Sequence, residues 1–306
     1  MSNWRLVADV GGTNVRFARA SHDGTLAHVI SYRSDSIASF AEALASYADT
    51  TGGLAGCCSA AIGAAGPVTD GRVVLTNRSD WTIDARDLSS QLSGMPVVIV
   101  NDLEAVAAAL PHLGEGGVAP IGGHRRSTDA RKPRIAINVG TGFGAALVFN
   151  AGGIWRTLPG EPGHMSLSAV TPEELELLGL GASIEDFLSG NGISRLHARI
   201  AGNAVAQDAN GVFQSAGKDR HAAIAVDLFT DVLGRVAGDL ALARGAWGGV
   251  YFCGSVAVGW SAIADQARFR ASFERKGLLT QRMADVPVWI VQRPDVALYG
   301  LAMLSV

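Results

Sequence analysis

Residues 5–20, Arg5-Leu-Val-Ala-Asp-Val-Gly-Gly-Thr-Asn-Val-Arg-Phe-Ala-Arg-Ala20, constrain the fold more than any other stretch of this chain. An apolar run from Leu6 to Val10 breaks at Gly11-Gly12-Thr13-Asn14 and resumes with Val15, Phe17 and Ala18. That pattern predicts strand, tight turn, strand. Glycines at the break let backbone N–H groups approach a ligand closely, and Thr13 and Asn14 add side-chain donors. Asp9 stands just before the turn, where a carboxylate can hold a hydrated cation. The arrangement suits a phosphate and its magnesium ion. Taken alone, an ordinary glycine-rich hairpin fits the stretch equally well.

At 306 residues the chain exceeds the size at which single cores usually stop growing, so two lobes are predicted. A net charge of −3 and the lack of a dense Lys/Arg block argue against a nucleic-acid surface. The one basic cluster, His124-Arg125-Arg126 with Arg131 and Lys132, reads as a solvated loop. Cys57, Cys58 and Cys253 fall in apolar, strand-like segments without zinc-ligand spacing or a disulfide framework, which indicates a reducing compartment. The N-terminus lacks an apolar h-region, and no stretch approaches the ~20 apolar residues that span a bilayer. A cytoplasmic location with no membrane partner is expected.

Along the chain, Leu26–Arg33 reads as a strand, and Ser36 as the cap of a helix over 37–48 stopped by Gly52-Gly53. Cys57–Ile62 reads as a buried strand and Arg72–Asn77 as another, with Asn77 either facing a ligand or capping the strand. Pro96-Val-Val-Ile-Val100 is a short continuous apolar run, the mark of a central strand buried on both faces. It ends at Asn101-Asp102, and a helix over 103–110 follows. Asp102 thus falls at the carboxyl end of a strand and the start of a helix, where open α/β sheets bind ligands. Asn and Asp are also favoured helix caps, so a capping role stands beside the functional one.

Residues 114–133 read as the loop between lobes. Arg134–Phe149 then repeats the opening plan, Val139-Gly-Thr-Gly matching Val10-Gly-Gly-Thr, and offers a second phosphate-facing turn at Gly140, Thr141 and Gly142. Pro159-Gly-Glu-Pro-Gly-His164 is a loop carrying Glu161 and His164. Thr171-Pro-Glu-Glu174 has the form of a capping box. Gly179–Gly181 stops that helix, and a helical turn containing Glu185 is closed by Ser189-Gly-Asn-Gly192. Helices over 193–206, 221–244 and 262–274, strands at Gly249–Cys253 and Val286–Val291, and a C-terminal helix over 296–304 complete an α/β layering.

Phosphoryl transfer needs backbone donors for charged oxygens, a metal relay, and an acid that positions and deprotonates a hydroxyl. Asp9 with Gly11-Gly12-Thr13, the Gly140–Gly142 turn, and Asp102 supply these parts. The Walker pattern is absent, since no lysine follows the glycine turns. A dinucleotide fingerprint fails because Gly140-Thr-Gly-Phe-Gly144 runs into strand-like Ala-Ala-Leu-Val-Phe rather than a helix.

The sequence resembles the bacterial glucokinases of the hexokinase–actin–Hsp70 superfold. The resemblance rests on Asp9-Val-Gly-Gly-Thr-Asn14, Asn101-Asp102, Gly140-Thr-Gly-Phe-Gly144, Gly160-Glu-Pro-Gly-His164, Glu185 with Leu188-Ser-Gly-Asn-Gly192, and Gly248-Gly-Val-Tyr-Phe-Cys-Gly254, in the family's order over nearly the whole chain. It implies an α/β fold of two ribonuclease H-like lobes around a nucleotide- and sugar-binding cleft: a small lobe over 1–111, with the C-terminal helix 295–306 packing back on it, and a large lobe over 112–294. It further implies ATP-dependent phosphorylation of the glucose 6-hydroxyl, with Mg²⁺, and a homodimer. Asp102 becomes the general base and Asn101 a sugar-hydroxyl ligand, with Glu161, His164 and Glu185 holding other hydroxyls. Ala8, Asp9, Val10, Gly11, Gly12 and Thr13, together with Gly140, Thr141, Gly142 and Gly254, bind ATP. Asp9 orients Mg²⁺ through water.

Two positions depart from the family pattern. Pro162 stands where its sugar loop usually has glycine, stiffening the loop and removing an N–H. Ser255 stands where a Gly-Gly pair is usual, near the implied adenosine site. The alternatives are a kinase for another hexose, such as mannose or an N-acetylhexosamine, or a non-catalytic ATP and sugar sensor.

Overall fold

The computed structural model describes residues 3–76, 78–123, 129–178, 182–202 and 207–304. Two compact units emerge, one of Met1–His112, Gly153–Pro159 and Arg293–Val306, the other of Leu113–Gly152 and Gly160–Gln292. The segment 153–159, which follows the left-handed Gly152-Gly153 pair, is an addition to the first unit that the sequence did not signal. Asn77, the His124–Arg126 cluster, the Gly179–Gly181 stop and the end of the helix expected to reach 206 lie outside the described residues.

In the first unit, β1 (Trp4–Val10) and β2 (Asn14–Ala20) form an antiparallel hairpin, with Val10 facing Val15, and β3 (Leu26–Arg33) pairs with β2. The strand period of two sorts their side chains. Leu6, Ala8, Val10, Val15 and Phe17 pack toward Phe40 and Tyr47 of α1 (Phe40–Thr51), whereas Val7 and Ala18 pack toward Leu298 and Leu301 of the C-terminal helix, Val296–Met303. Helix α1 starts three residues later than the sequence indicates. Ser34–Ser36 coil into a 3₁₀ turn, Ile37 is extended, and Ser39 is the cap that accepts the Glu42 N–H.

β4 (Cys57–Ala64) runs parallel to β1. A separate antiparallel sheet of β5 (Val68–Thr69), β6 (Arg72–Leu75) and β7 (Arg78–Asp84) follows, then α2 (Ala85–Gln91). β8 (Val97–Asn101) pairs parallel with β4 and leads into α3 (Asp102–Ala109). The order β3-β2-β1-β4-β8 puts β8 at the sheet edge, not at its centre. An apolar run reports covered faces, which α2 and α3 help supply, and says nothing about neighbours on both edges. The C-terminal helix lies against α3 so closely that a Cβ on Gly300 would fall 1.8 Å from the Ala105 carbonyl oxygen. Arg5 holds its last turn by donating to the Leu301 and Ala302 carbonyls, each at 3.2 Å.

The second unit repeats the plan. β9 (Val118–Pro120) is followed by β10 (Arg134–Val139) and β11 (Phe143–Ala151), then by β13 (Val250–Cys253) and β14 (Val288–Val291); β12 (Ile154–Gly160), between β11 and β13 in the chain, belongs up to Pro159 to the first unit. Its sheet runs β11-β10-β13-β14-β9. β10 and β11 are an antiparallel hairpin, β13 and β14 continue parallel, and β9 closes the edge antiparallel. The 114–133 stretch read as pure loop therefore contains an edge strand.

The helices of this unit, among the described residues, are α4 (Pro172–Leu178), α5 (Ile184–Phe187), α6 (Gly190–Ala201), α7 (Ala209–Ser215), α8 (Arg220–Arg244), α9 (Ser255–Ser261), α10 (Gln266–Glu274) and α11 (Thr280–Ala284). Ser189-Gly-Asn-Gly192 is the cap and first turn of α6, not a closing turn, since the Ser189 hydroxyl accepts the Gly192 N–H at 3.0 Å. The helix expected over 262–274 is α10, which starts at Gln266 under the cap of Asp265; α9 (Ser255–Ser261), directly before it, was not expected. Among the described residues no helix is long and apolar enough to cross a membrane.

Candidate active site

In the first unit the expected residues gather at one end of the sheet. Parallel register aligns Val10 with Ala64 and Ala64 with Asn101, so the Gly11 turn and the Asn101-Asp102 corner leave the same edge with one strand between them. At ~4.8 Å per strand spacing, they are separated by roughly 10 Å. Two hydrogen bonds tie the row together: the Ala65 N–H donates to the Val10 carbonyl at 3.0 Å, and the Asn101 side-chain Nδ2 donates to the Gly66 carbonyl at 3.2 Å.

The Gly11–Asn14 turn closes through Gly11 N–H to the Asn14 carbonyl at 2.9 Å, and Ser34 N–H braces it by donating to the Thr13 carbonyl at 2.8 Å. Thr13 is exposed, while Gly11 and Gly12 are half-buried. Ala8 and Val10 do not face a ligand with their side chains. Both are fully buried in the core beneath α1. The part of the stretch that can meet a phosphate is Asp9, Gly11, Gly12 and Thr13. Asp9 carries a partner that the sequence reading missed, for Arg16 Nε and Nη2 both donate to its Oδ2. The two residues face each other in the hairpin register, and that pairing is the signal from which Arg16 was readable.

Asn101 is the N-cap of α3. Its Oδ1 accepts the Leu103 N–H at 2.9 Å, and Glu104 completes a capping box by accepting the Asn101 N–H at 3.2 Å. Asp102 is the first residue of the helix proper, with Oδ1 on the Leu103 N–H at 2.8 Å. Glu104 also accepts the Thr157 hydroxyl at 2.9 Å. The Asn-x-x-Glu spacing was the sequence signal for Glu104.

In the second unit, Gly140, Thr141 and Gly142 form the β10–β11 turn, and the Gly190 N–H at the start of α6 donates to the Gly140 carbonyl at 2.8 Å. Glu185 is no solvated helix acid. Its Oε2 accepts the Phe143 N–H at 2.8 Å, and a Cβ on Gly142 would fall 2.6 Å from that oxygen. Glu161 and His164 are both exposed at the ends of a 3₁₀ turn that Pro162 opens. The loop rests on the same peptide, since a Cβ on Gly163 would lie 2.2 Å from the Phe143 carbonyl oxygen. The Gly140–Gly142 turn, the Glu161–His164 loop and Glu185 thus converge on Phe143. Gly254 joins them from β13, which pairs with β10; its φ is +94° and a Cβ would meet the Val139 carbonyl oxygen at 2.4 Å. No other residue fits there.

Beside the Gly140-Thr141 turn lies a cavity of about 390 Å³, lined in part by Asn191, Ser194, Asp208, Phe213, Ser255 and Val256. It offers an aromatic ring and an aliphatic side chain with polar groups around them, the composition of a small-molecule pocket. Of these residues the sequence singled out Ser255 alone as bearing on a nucleotide. Asn191 stood in the Leu188–Gly192 motif without a nucleotide role, whereas Ser194 of α6, Asp208 and Phe213 at the cap and on α7, and Val256 of α9 carry no motif.

Among the described residues no group of three or more His, Cys, Asp or Glu side chains is placed to hold a metal. The donor set fits an ion held mainly by phosphate oxygens and water, with one carboxylate at its outer shell, as magnesium often is.

The family model for glucokinase matches residues 6–306. The glucokinase of Aromatoleum aromaticum is 36% identical, over 97% of this chain and 93% of that protein. The glucokinase of Chromobacterium violaceum is 35% identical, over 97% and 88%. The crystal structure of a glucokinase from an Antarctic psychrotroph superposes with a TM-score of 0.88 at 30% identity, covering 99% of this chain and 98% of that one.

Proposed function

We propose that the chain, which belongs to the glucokinase family, transfers the γ-phosphoryl group of ATP to the 6-hydroxyl of glucose. The observation that carries the reading is the convergence of the Gly140–Gly142 turn, the Glu161–His164 loop and Glu185 on the Phe143 peptide. A phosphate turn and a set of hydroxyl acceptors built on one residue is what a sugar kinase requires.

In this reading Asp102 takes the 6-hydroxyl proton as the oxygen attacks phosphorus. The new O6–P bond forms as the bond from phosphorus to the β–γ bridging oxygen breaks, and ADP leaves with the electron pair. The capping box of Asn101 and Glu104 fixes the helix start from which Asp102 projects. Glu161, His164 and Glu185 accept or donate to the remaining hydroxyls, so an epimer leaves one of them unpaired. In this reading Gly12 and Thr13, and Thr141 and Gly142, direct N–H groups at phosphate oxygens, the Gly11 and Gly140 N–H groups being used to close their own turns, while the cavity beside Thr141 takes the nucleoside. Asp9 would hold Mg²⁺ through water, and the ion supplies neutralisation of phosphate charge. The protein acts in the cytoplasm at the first step of glycolysis, as a homodimer.

A coupled assay of ADP release, run across hexoses and phosphoryl donors, tests this. The reading requires ADP release that depends on glucose and ATP. ADP release with mannose or an N-acetylhexosamine but not glucose would move the substrate. Tight binding of sugar and nucleotide without ADP release would make the protein a sensor.

A further inference from the structure

Asp9 and Arg16 are cross-strand partners in the β1–β2 hairpin, on the sheet face opposite the buried Ala8, Val10, Val15 and Phe17. Side chains so placed lie within ~4.5–5.5 Å at Cβ, so the register alone brings the two together. The way they meet is unusual for arginine and carboxylate. A fork-to-fork pair would engage both oxygens. Here Nε, at 3.0 Å, and Nη2 both donate to Oδ2, and Oδ1 takes no donor among the described residues.

The remaining arm of the guanidinium is also committed. Arg16 Nη1 donates to the Pro294 carbonyl at 3.0 Å. Pro294 lies just beyond the point where the chain crosses from the second unit to the first, between Gln292 and Arg293. That segment is itself braced, with Arg293 Nε on Asp295 Oδ1 at 2.8 Å and the Arg293 guanidinium 4.0 Å over the Tyr299 ring. One guanidinium therefore spans the acid and the crossing segment.

We infer that Arg16 is a positioning residue for the metal-bound nucleotide: it clamps one oxygen of Asp9, presents the other to a water of the magnesium shell, and anchors that carboxylate to the Pro294 carbonyl. The inference rests on the reading of Asp9 as the acid that orients magnesium. Lysine cannot replace Arg16, because one ammonium offers a compact point charge and not a planar fork that reaches Oδ2 and a carbonyl together. Losing hydrogen bonds to a charged group corresponds to ~10-fold or more in affinity.

The test is calorimetric titration of a non-hydrolysable ATP analogue into the full-length protein with and without Mg²⁺, for wild type, Arg16→Ala, Arg16→Lys and Asp9→Asn. Thermal denaturation checks that each variant is folded, and Arg16→Lys serves where Arg16→Ala is not. Mg²⁺ should tighten the analogue in wild type, and that gain, taken within each variant as the ratio of its metal-free to its Mg²⁺-loaded Kd, should fall about tenfold in Asp9→Asn and in both Arg16 variants. A full Mg²⁺ gain in the Arg16 variants, beside a lost gain in Asp9→Asn, overturns the role of Arg16 and leaves that of Asp9 intact. A full gain in Asp9→Asn overturns the metal reading of Asp9 and the inference with it.

Discussion

Glu185 Oε2 accepts the backbone N–H of Phe143 at 2.8 Å, so an acid expected to hold a sugar hydroxyl is anchored on the residue that follows the Gly140–Gly142 turn. Gly142 makes room for it, since a Cβ there would stand 2.6 Å from the same oxygen. Gly142→Ala should displace the carboxylate and leave the Phe143 N–H unpaired, at a cost of ~1–3 kcal/mol. Steady-state kinetics should show KM rising for both glucose and ATP. A rise for ATP alone would mean that Glu185 does not report to the sugar.

Asn101 is as much a cap as a ligand. Asn101→Ala removes the acceptor of the Leu103 N–H and should lower unfolding free energy in urea by ~1 kcal/mol. Asn101→Asp keeps an acceptor and should recover most of that loss. Equal stability of wild type and the alanine variant would show that the capping box with Glu104 contributes nothing.

The C-terminal helix supports α3 from behind. Gly300→Val adds bulk where even a Cβ falls 1.8 Å from the Ala105 carbonyl oxygen, and the helices must part. Overpacking of this kind costs ~1–3 kcal/mol, occasionally more. The thermal midpoint should drop by several degrees, and turnover should fall with it, because Asp102 is the first residue of α3. An unchanged midpoint would contradict the close crossing.

Asp186 closes the capping box of α5, the helix that carries Glu185. The Ser183 N–H and hydroxyl hold its carboxyl below the usual carboxylate range. A group with a depressed folded pKa contributes stability above its unfolded value, ~3.9, and loses that contribution as pH falls through the folded one. Thermal midpoints of wild type and Asp186→Ala should therefore differ at pH 7 and draw together as the pH falls below 4. A gap that persists into acid would assign the effect to packing.

Much of the fold was legible because its signals are local. The glycine breaks at Gly11-Gly12 and Gly140–Gly142, each between apolar runs, marked two hairpins of one plan, and the structure builds matching sheets on them. Strand neighbours were not legible. The run at Val97–Val100 looked central and is an edge, because hydropathy records covered faces only. The site divided along the same line. Asp102 and Glu185 stood in motifs, whereas Arg16 became visible only through cross-strand register, and Phe213 and Asp208 only through the packing of helices far apart in sequence.

Asp102 as general base is the central claim, and one measurement bears on it most directly: glucose-dependent ADP release by wild type and Asp102→Asn under saturating ATP, Mg²⁺ and glucose. A positioned base is worth ~10²–10⁴-fold, so the variant should lose that factor in kcat while still binding glucose. Near-wild-type turnover in Asp102→Asn would contradict the account.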